Sequence, residues 1–193
     1  MKRLRILPRA RIVASHRIDT DRLLLRSPNV ADAPRISELM GSWDVARWLV
    51  RVPFPYRLAH AEAWIERSSQ ERAAAMGWPF IMVRRDDGAL IGSMDLSLEA
   101  DRTTGSLGYW VGEDYWGRGY ATEAARAVIE FAFETLDLKS VTANALPDND
   151  RSIRVLEKAG LRFVDRRPED TVERGRVDTD FFVLERTAWR ASA

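Results

Sequence analysis

The chain has no cysteine, which excludes disulfide bonds, thiolate metal ligands and a cysteine nucleophile together. Histidine is scarce as well. His16 and His60 are far apart and have no acidic or histidine partner at ligand spacing, so neither a metal centre nor a histidine-based triad is expected. Net charge is only +1, so the global basic field that drives general nucleic-acid binding is missing. Long apolar runs are missing too. No stretch reaches transmembrane length, and the basic opening MKRLRILPRARIVASHR lacks the unbroken apolar core of about 7–15 residues that a secretory signal uses. The expected location is the cytoplasm.

With 193 residues, of which 46% are hydrophobic, the chain is long enough to close a core of its own. It is read as one domain over residues 20–193, preceded by a basic arm at residues 1–19 that is expected to be flexible and solvated. The cations of that arm, Lys2, Arg3, Arg5, Arg9, Arg11 and Arg17, are assigned no function.

Hydrophobic spacing gives the order of elements. Arg22–Arg26 (RLLLR) reads as a strand closed by SPN. Ala31–Leu49 has helical spacing interrupted near Gly41-Ser42. Val52–Pro55 must be extended around its prolines, and Leu58–Ala75 is helical. Trp78–Arg84, Ala89–Glu99 and Thr104–Gly112 form three strands, the first two joined by a DDG turn, as in a meander. Ala121–Leu136 is an amphipathic helix of about four turns. Ser140–Ala145 is a strand, Asn149–Ala159 a helix stopped by Gly160 in a left-handed conformation, and Phe181–Glu185 a late strand. This order predicts an α/β (α+β) fold: a mixed sheet with helices on it, its antiparallel hairpins surrounding one strand–helix–strand crossover.

Two glycines stand at the mouth of the helix after Thr104–Gly112, in WGRGYA at Trp116–Ala121. They allow a sharp turn and a close backbone approach to a ligand. The helix they open presents unpaired N–H groups and a positive dipole end, which favour phosphate. A tight strand-to-helix turn is the plainer reading. The spelling excludes two nucleotide motifs: a Walker loop would end in Gly-Lys-Ser/Thr, and a dinucleotide fingerprint would place its last glycine where Thr122 stands.

LGYWVGEDYWGRGYATEA, followed by NDRSIRVLEKAGLRF, resembles the GNAT acyl-CoA N-acyltransferase superfamily. The likeness is to the branch typified by ribosomal-protein N-terminal acetyltransferases, and it is most specific from about Leu107 to Phe163. Trp116 departs from the superfamily's usual Gln or Arg at the head of its phosphate loop. The resemblance implies a mostly antiparallel central sheet whose strands Leu107–Gly112 and Ser140–Ala145 splay apart around coenzyme A. It further implies that acetyl-CoA is held by Trp116, Gly117, Arg118, Gly119, Tyr120, Ala121 and Thr122. A main-chain N–H of Trp110 or Val111 would face the thioester, and Arg154 would take the 3′-phosphate.

Acetyl transfer to an amine needs an unprotonated nucleophile, a held thioester, stabilisation of a developing oxyanion and a proton for the departing thiolate. By resemblance, Ser152 is the candidate proton donor at the coenzyme sulfur, and Asn149 fixes the local backbone. Asn149 also reads as a plain helix cap. The superfamily's tyrosine acid is replaced by Leu156, and the branch's acidic residue before the Gly-Tyr pair by Ser106. The base must come from elsewhere: Asp95 is the candidate, with Glu99 on the same strand or a chain of water molecules as the alternatives. The aromatics Trp43, Trp48, Phe54, Tyr56 and Trp64 border the acceptor groove or pack the core. The expected acceptor is a primary amine, foremost the α-amine of a protein or peptide, attacked directly without a covalent enzyme intermediate. Polyamines, aminoglycosides and amino acids are the small-molecule alternatives, and a non-catalytic acyl-CoA sensor is the alternative of another class. No metal, membrane or nucleic-acid partner is expected. Dimers are common in the superfamily, and no interface is legible in the sequence.

Overall fold

A computed structural model describes residues 17–171 and 175–192. Eight strands form one sheet in the order β1-β2-β3-β4-β5-β6-β8-β7. They are β1 Ile18–Asp19, β2 Leu23–Arg26, β3 Gly77–Arg84, β4 Leu90–Leu98, β5 Thr104–Val111, β6 Ser140–Ala145, β7 Arg162–Thr171 and β8 Gly175–Glu185. Every pairing is antiparallel except that of β5 with β6, the crossover pair.

Helices cover both faces. On one lie α1 Ala33–Met40, α2 Trp43–Ala46 and α3 Leu58–Ala73. Ile36, Met40, Val45 and Ala61 bury there against Ile81 and Leu90 of the sheet. On the other lie α4 Tyr120–Glu130, α5 Asp150–Lys158 and α6 Arg186–Ser192. Here Ala124, Val128, Ile129 and Leu156 meet Phe80, Met94, Leu96, Val141 and Phe182. Side chains alternate across a strand, so β3 sends Trp78, Phe80 and Met82 to one core and Ile81 to the other. A bulge in the β3–β4 pairing at Met82/Val83 shifts that alternation, and it leaves Asp95 on the α1–α3 face while Met94 and Leu96 enter the opposite core.

The expected elements recur with four differences. Ile18 and Asp19 pair with Leu25 and Leu24, so the sheet begins before the expected limit of the arm at residue 19; residues 1–16 lie outside the described residues. The helix expected over Ala121–Leu136 is regular only to Glu130. It then widens into a π-turn over Phe131–Thr135, with Leu136 N donating to Phe131 O at 3.2 Å. Strand β7 has no apolar alternation to mark it in the sequence, because RFVDRRPEDT is half-exposed or exposed along its whole length. Helix α6 likewise has no sequence counterpart above.

One feature of the sheet makes the site. β5 and β6 pair only through Thr104–Ser106 and Ser140–Thr142. Beyond those residues β5 stays bonded to β4 as far as Val111, and β6 to β8 as far as Ala145. The two middle strands therefore diverge, each keeping its outer partner and losing the inner one.

Candidate active site

The gap opens into a cleft of about 1050 Å³ that runs from the α3 face of the sheet to the mouths of α4 and α5. Asp95, Trp110, Val111, Trp116, Gly117, Gly119, Tyr120, Ala121, Thr122, Asn149, Ser152 and Arg154 all line it. Arg118 does not; its side chain is exposed and its carbonyl accepts from Arg22 Nη1 at 2.8 Å.

The glycines are required by backbone shape. Gly117 and Gly119 have φ of +73° and +80°, a left-handed region that costs other L-residues about 1–2 kcal/mol. A Cβ at Gly117 would meet nothing within 4 Å, so space alone does not select glycine there. Gly119 caps α4, and Glu123 N is the first amide of the helix to find a carbonyl, that of Gly119 at 3.0 Å. The N–H groups of Tyr120, Ala121 and Thr122 precede it and have no helical acceptor. An eleven-residue helix thus points a cluster of free donors and its positive end into the cleft.

Trp116 has its own local role. Its Nε1 donates to Val111 O at 2.7 Å, tying the loop to the end of β5, and the Arg151 guanidinium lies 4.6 Å from its ring centroid. That stack brings one cation of α5 against the loop. Arg154 is exposed on the same helix.

Ser152 sits at the base of α5, where Asn149 Oδ1 accepts from its N–H at 3.1 Å. Asn149 is therefore the cap of α5. The Ser152 hydroxyl meets Tyr109 Oη at 2.7 Å. Tyr109 carries no sequence signal beyond its place after Gly108. Burial drives its phenol pKa well above the ordinary tyrosine value, against the opposing bond from Ser152. Leu156, at the position of the superfamily's tyrosine acid, is completely buried in the core.

The other side of the gap differs in character. Asp95 faces α3 from mid-strand, with Ser93 Oγ at 2.6 Å from Oδ1. Burial raises its pKa from 3.8 to about 7, the Ser93 bond opposes this, the Glu71 charge adds to it and Arg72 counteracts it. Tyr56, Trp64, Arg67 and Glu71 line the same half, and burial pushes Tyr56 up to about 12. Trp43 points elsewhere: it is 48% exposed and stacks edge-on against Phe54 at 4.8 Å. Glu99 lines the cleft but is exposed.

Residues 22–162 match the family model described as acetyltransferase (GNAT) domain, well over half of the chain. The chain belongs to the GNAT acetyltransferase family. This acetyltransferase is 28% identical over 145 residues to the uncharacterized N-acetyltransferase YnaD of Bacillus subtilis, a match covering 75% of this chain and 82% of YnaD. Its fold is that of RimJ from Mycobacterium smegmatis, solved in complex with CoA-disulfide: TM-score 0.77, 19% identity, 92% of each chain covered. The ribosomal-protein-S5-alanine acetyltransferase of Vibrio fischeri superposes equally well, with TM-score 0.77 at 17% identity over 90% of this chain and 98% of that one. The protein is an acetyl-CoA-dependent N-acyltransferase. The cleft suits that cosubstrate, with a parted sheet for an extended arm and free amides at a helix mouth for phosphates. Among the described residues no helix is long and apolar enough to cross a membrane, and no cluster of metal-ligating side chains occurs.

Proposed function

We propose that this enzyme acetylates the α-amine of a protein or peptide N-terminus by direct attack in a ternary complex. The observation that carries the chemistry is the placement of two proton-handling groups on opposite faces of the sheet, at the gap between β5 and β6. Asp95 stands on the α3 side, and the Tyr109–Ser152 pair on the α5 side. Acetyl-CoA supplies an acetyl group activated as a thioester. The loop at Gly117 and Gly119, with Tyr120, Ala121 and Thr122, binds its phosphates through main-chain N–H groups, and Arg154 takes the 3′-phosphate. Trp110 and Val111 orient the acyl group along the free edge of β5.

Asp95 takes the proton from the acceptor's ammonium, for which a pKa of about 7 is well matched near neutrality. The C–N bond forms as the C–S bond breaks. Ser152 Oγ passes a proton to the departing sulfur and is resupplied by the second proton that the acylated nitrogen sheds, while Tyr109 Oη, kept protonated by its raised pKa, holds the Ser152 hydroxyl in place. Asn149 keeps Ser152 in place through the cap. Support for a protein acceptor comes from the shared fold with RimJ and the S5-alanine enzyme; a fold alone supports many acceptors, so the acceptor must be measured.

The test has two stages. Calorimetric titration of acetyl-CoA into the wild type and Gly119→Trp should give binding that the folded variant loses. Turnover is then measured against N-terminal peptides, polyamines, aminoglycosides and amino acids. Peptide acetylation supports the proposal; turnover confined to a small amine overturns the acceptor assignment, and tight binding without any turnover indicates an acyl-CoA sensor.

A further inference from the structure

The loop at Gly117–Gly119 is held from outside by a residue that belongs neither to it nor to its helix. Arg22, just before β2, donates from Nη1 to the Arg118 carbonyl at 2.8 Å, inside the loop. Its Nε donates to Glu123 Oε2 at 2.6 Å, and its guanidinium lies 4.7 Å from the Tyr120 ring centroid. Its Nη2 is 3.4 Å from where a Cβ of Gly119 would stand. Glu123, on the first turn of α4, is held in turn by the whole Thr20–Leu23 turn. Arg22 N donates to Oε1 at 2.8 Å, and Thr20 Oγ1 donates to the same oxygen at 2.6 Å. The Thr20 hydroxyl is itself fixed by Leu23 N at 3.0 Å.

A carboxylate one turn into a phosphate-binding helix is unfavourable for an anionic ligand on charge alone. Here that charge is occupied. Burial opposes ionisation of Glu123, but the Thr20 hydroxyl, the Arg22 amide and the Arg22 guanidinium together lower its pKa. A planar guanidinium can bond the Glu123 carboxylate and the Arg118 carbonyl at once, in fixed directions; an ammonium on a flexible stem does not reproduce that fork.

We infer that Arg22 and Glu123 form a clasp which fixes the shape of the loop, making Arg22 a positioning residue for acetyl-CoA. The inference rests on the coenzyme reading of that loop. It ties the start of the domain to the cosubstrate: the Thr20–Leu23 turn braces the loop from outside the cleft, although it is about a hundred residues away in sequence.

The test is calorimetric titration of acetyl-CoA, with steady-state kinetics, on the full chain and on Arg22→Ala, Arg22→Lys and Glu123→Gln. Loss of a charge-assisted hydrogen bond predicts about a tenfold rise in both Kd and KM for acetyl-CoA in all three. Acceptor KM and kcat should stay near wild type, a split that general destabilisation would not produce. Two results overturn the clasp: full rescue by Arg22→Lys, or tighter binding by Glu123→Gln, since both mean that only net charge matters. If Arg22→Ala does not fold, Thr20→Val removes one bond to Glu123 and should weaken acetyl-CoA about threefold; no change there also overturns it. A wild type that binds no acetyl-CoA defeats the coenzyme reading itself, and the clasp with it, whereas binding unaltered by every variant defeats the clasp alone.

Discussion

Asp95 and Gly108 stand directly across from each other on β4 and β5, and a Cβ placed at Gly108 would touch nothing within 4 Å. Gly108 is not in the left-handed region, so neither strain nor packing inside the protein excludes a side chain. Glycine in a strand is weaker than alanine by about 0.5–1 kcal/mol. Gly108→Ala should therefore raise the thermal midpoint by a few degrees. Gly108→Val should fold and yet raise acceptor KM about tenfold or more, by filling the floor beside Asp95. Thermal unfolding and steady-state kinetics on the two variants check this; unchanged kinetics in Gly108→Val would mean that the acceptor does not cross this spot.

The Asp95 carboxyl gives a pH signature. Its folded pKa lies near 7 against 3.8 unperturbed, so between those values the folded state holds a proton that the unfolded state has released. Stability should fall as pH rises through that window. Asp95→Asn cannot ionise and should gain stability over the wild type at pH 8 and almost none at pH 4. Its activity should drop by roughly 10²–10⁴. The wild-type rate should rise with pH through about 7, on top of the acceptor amine's own titration near 7.7–8.0. Only the latter limb should remain in Asp95→Asn.

Tyr109 and Ser152 should behave as one unit. Tyr109→Phe and Ser152→Ala are each expected to lower kcat by about 10²-fold, and the double variant should be little worse than either single one. Independent, multiplying losses would show that the two hydroxyls act separately and not through their 2.7 Å bond.

Asn149 separates capping from chemistry. Asn149→Asp retains an oxygen acceptor for Ser152 N and should keep both stability and activity. Asn149→Ala should cost about 1 kcal/mol of stability and lower kcat as Ser152 drifts. Urea unfolding and single-turnover rates compare the two; a large loss of acetyl-CoA affinity in Asn149→Asp would point to contact with the coenzyme instead.

The sequence made the middle of the molecule readable because local chemistry decides it. Left-handed glycines before an alanine-rich helix, a DDG hairpin, and apolar runs at period two or 3.6 are visible residue by residue. Arg22, Tyr109 and Glu71 were not readable as site residues. Each acts through a partner distant in the chain, as Arg22 does through Glu123 and Tyr109 through Ser152, and no spacing within one element encodes such a meeting. Strand β7 escaped for a different reason: bonded only to β8 at the edge of the sheet, with much of its length exposed to solvent, it has no buried face to write into its sequence.

The three residue pairs joining β5 to β6 have a mechanical consequence. They divide an eight-stranded sheet into two leaves, β1–β5 and β6–β8, fastened to each other within the sheet at one end. Under the proposed reading of the cleft, a cosubstrate lying in the open end would touch both leaves and form a second fastening. Because anything that binds the folded state alone stabilises it by mass action, about 2.7 kcal/mol at a hundredfold excess over Kd, the resistance of this enzyme to unfolding is set partly by how much acetyl-CoA surrounds it.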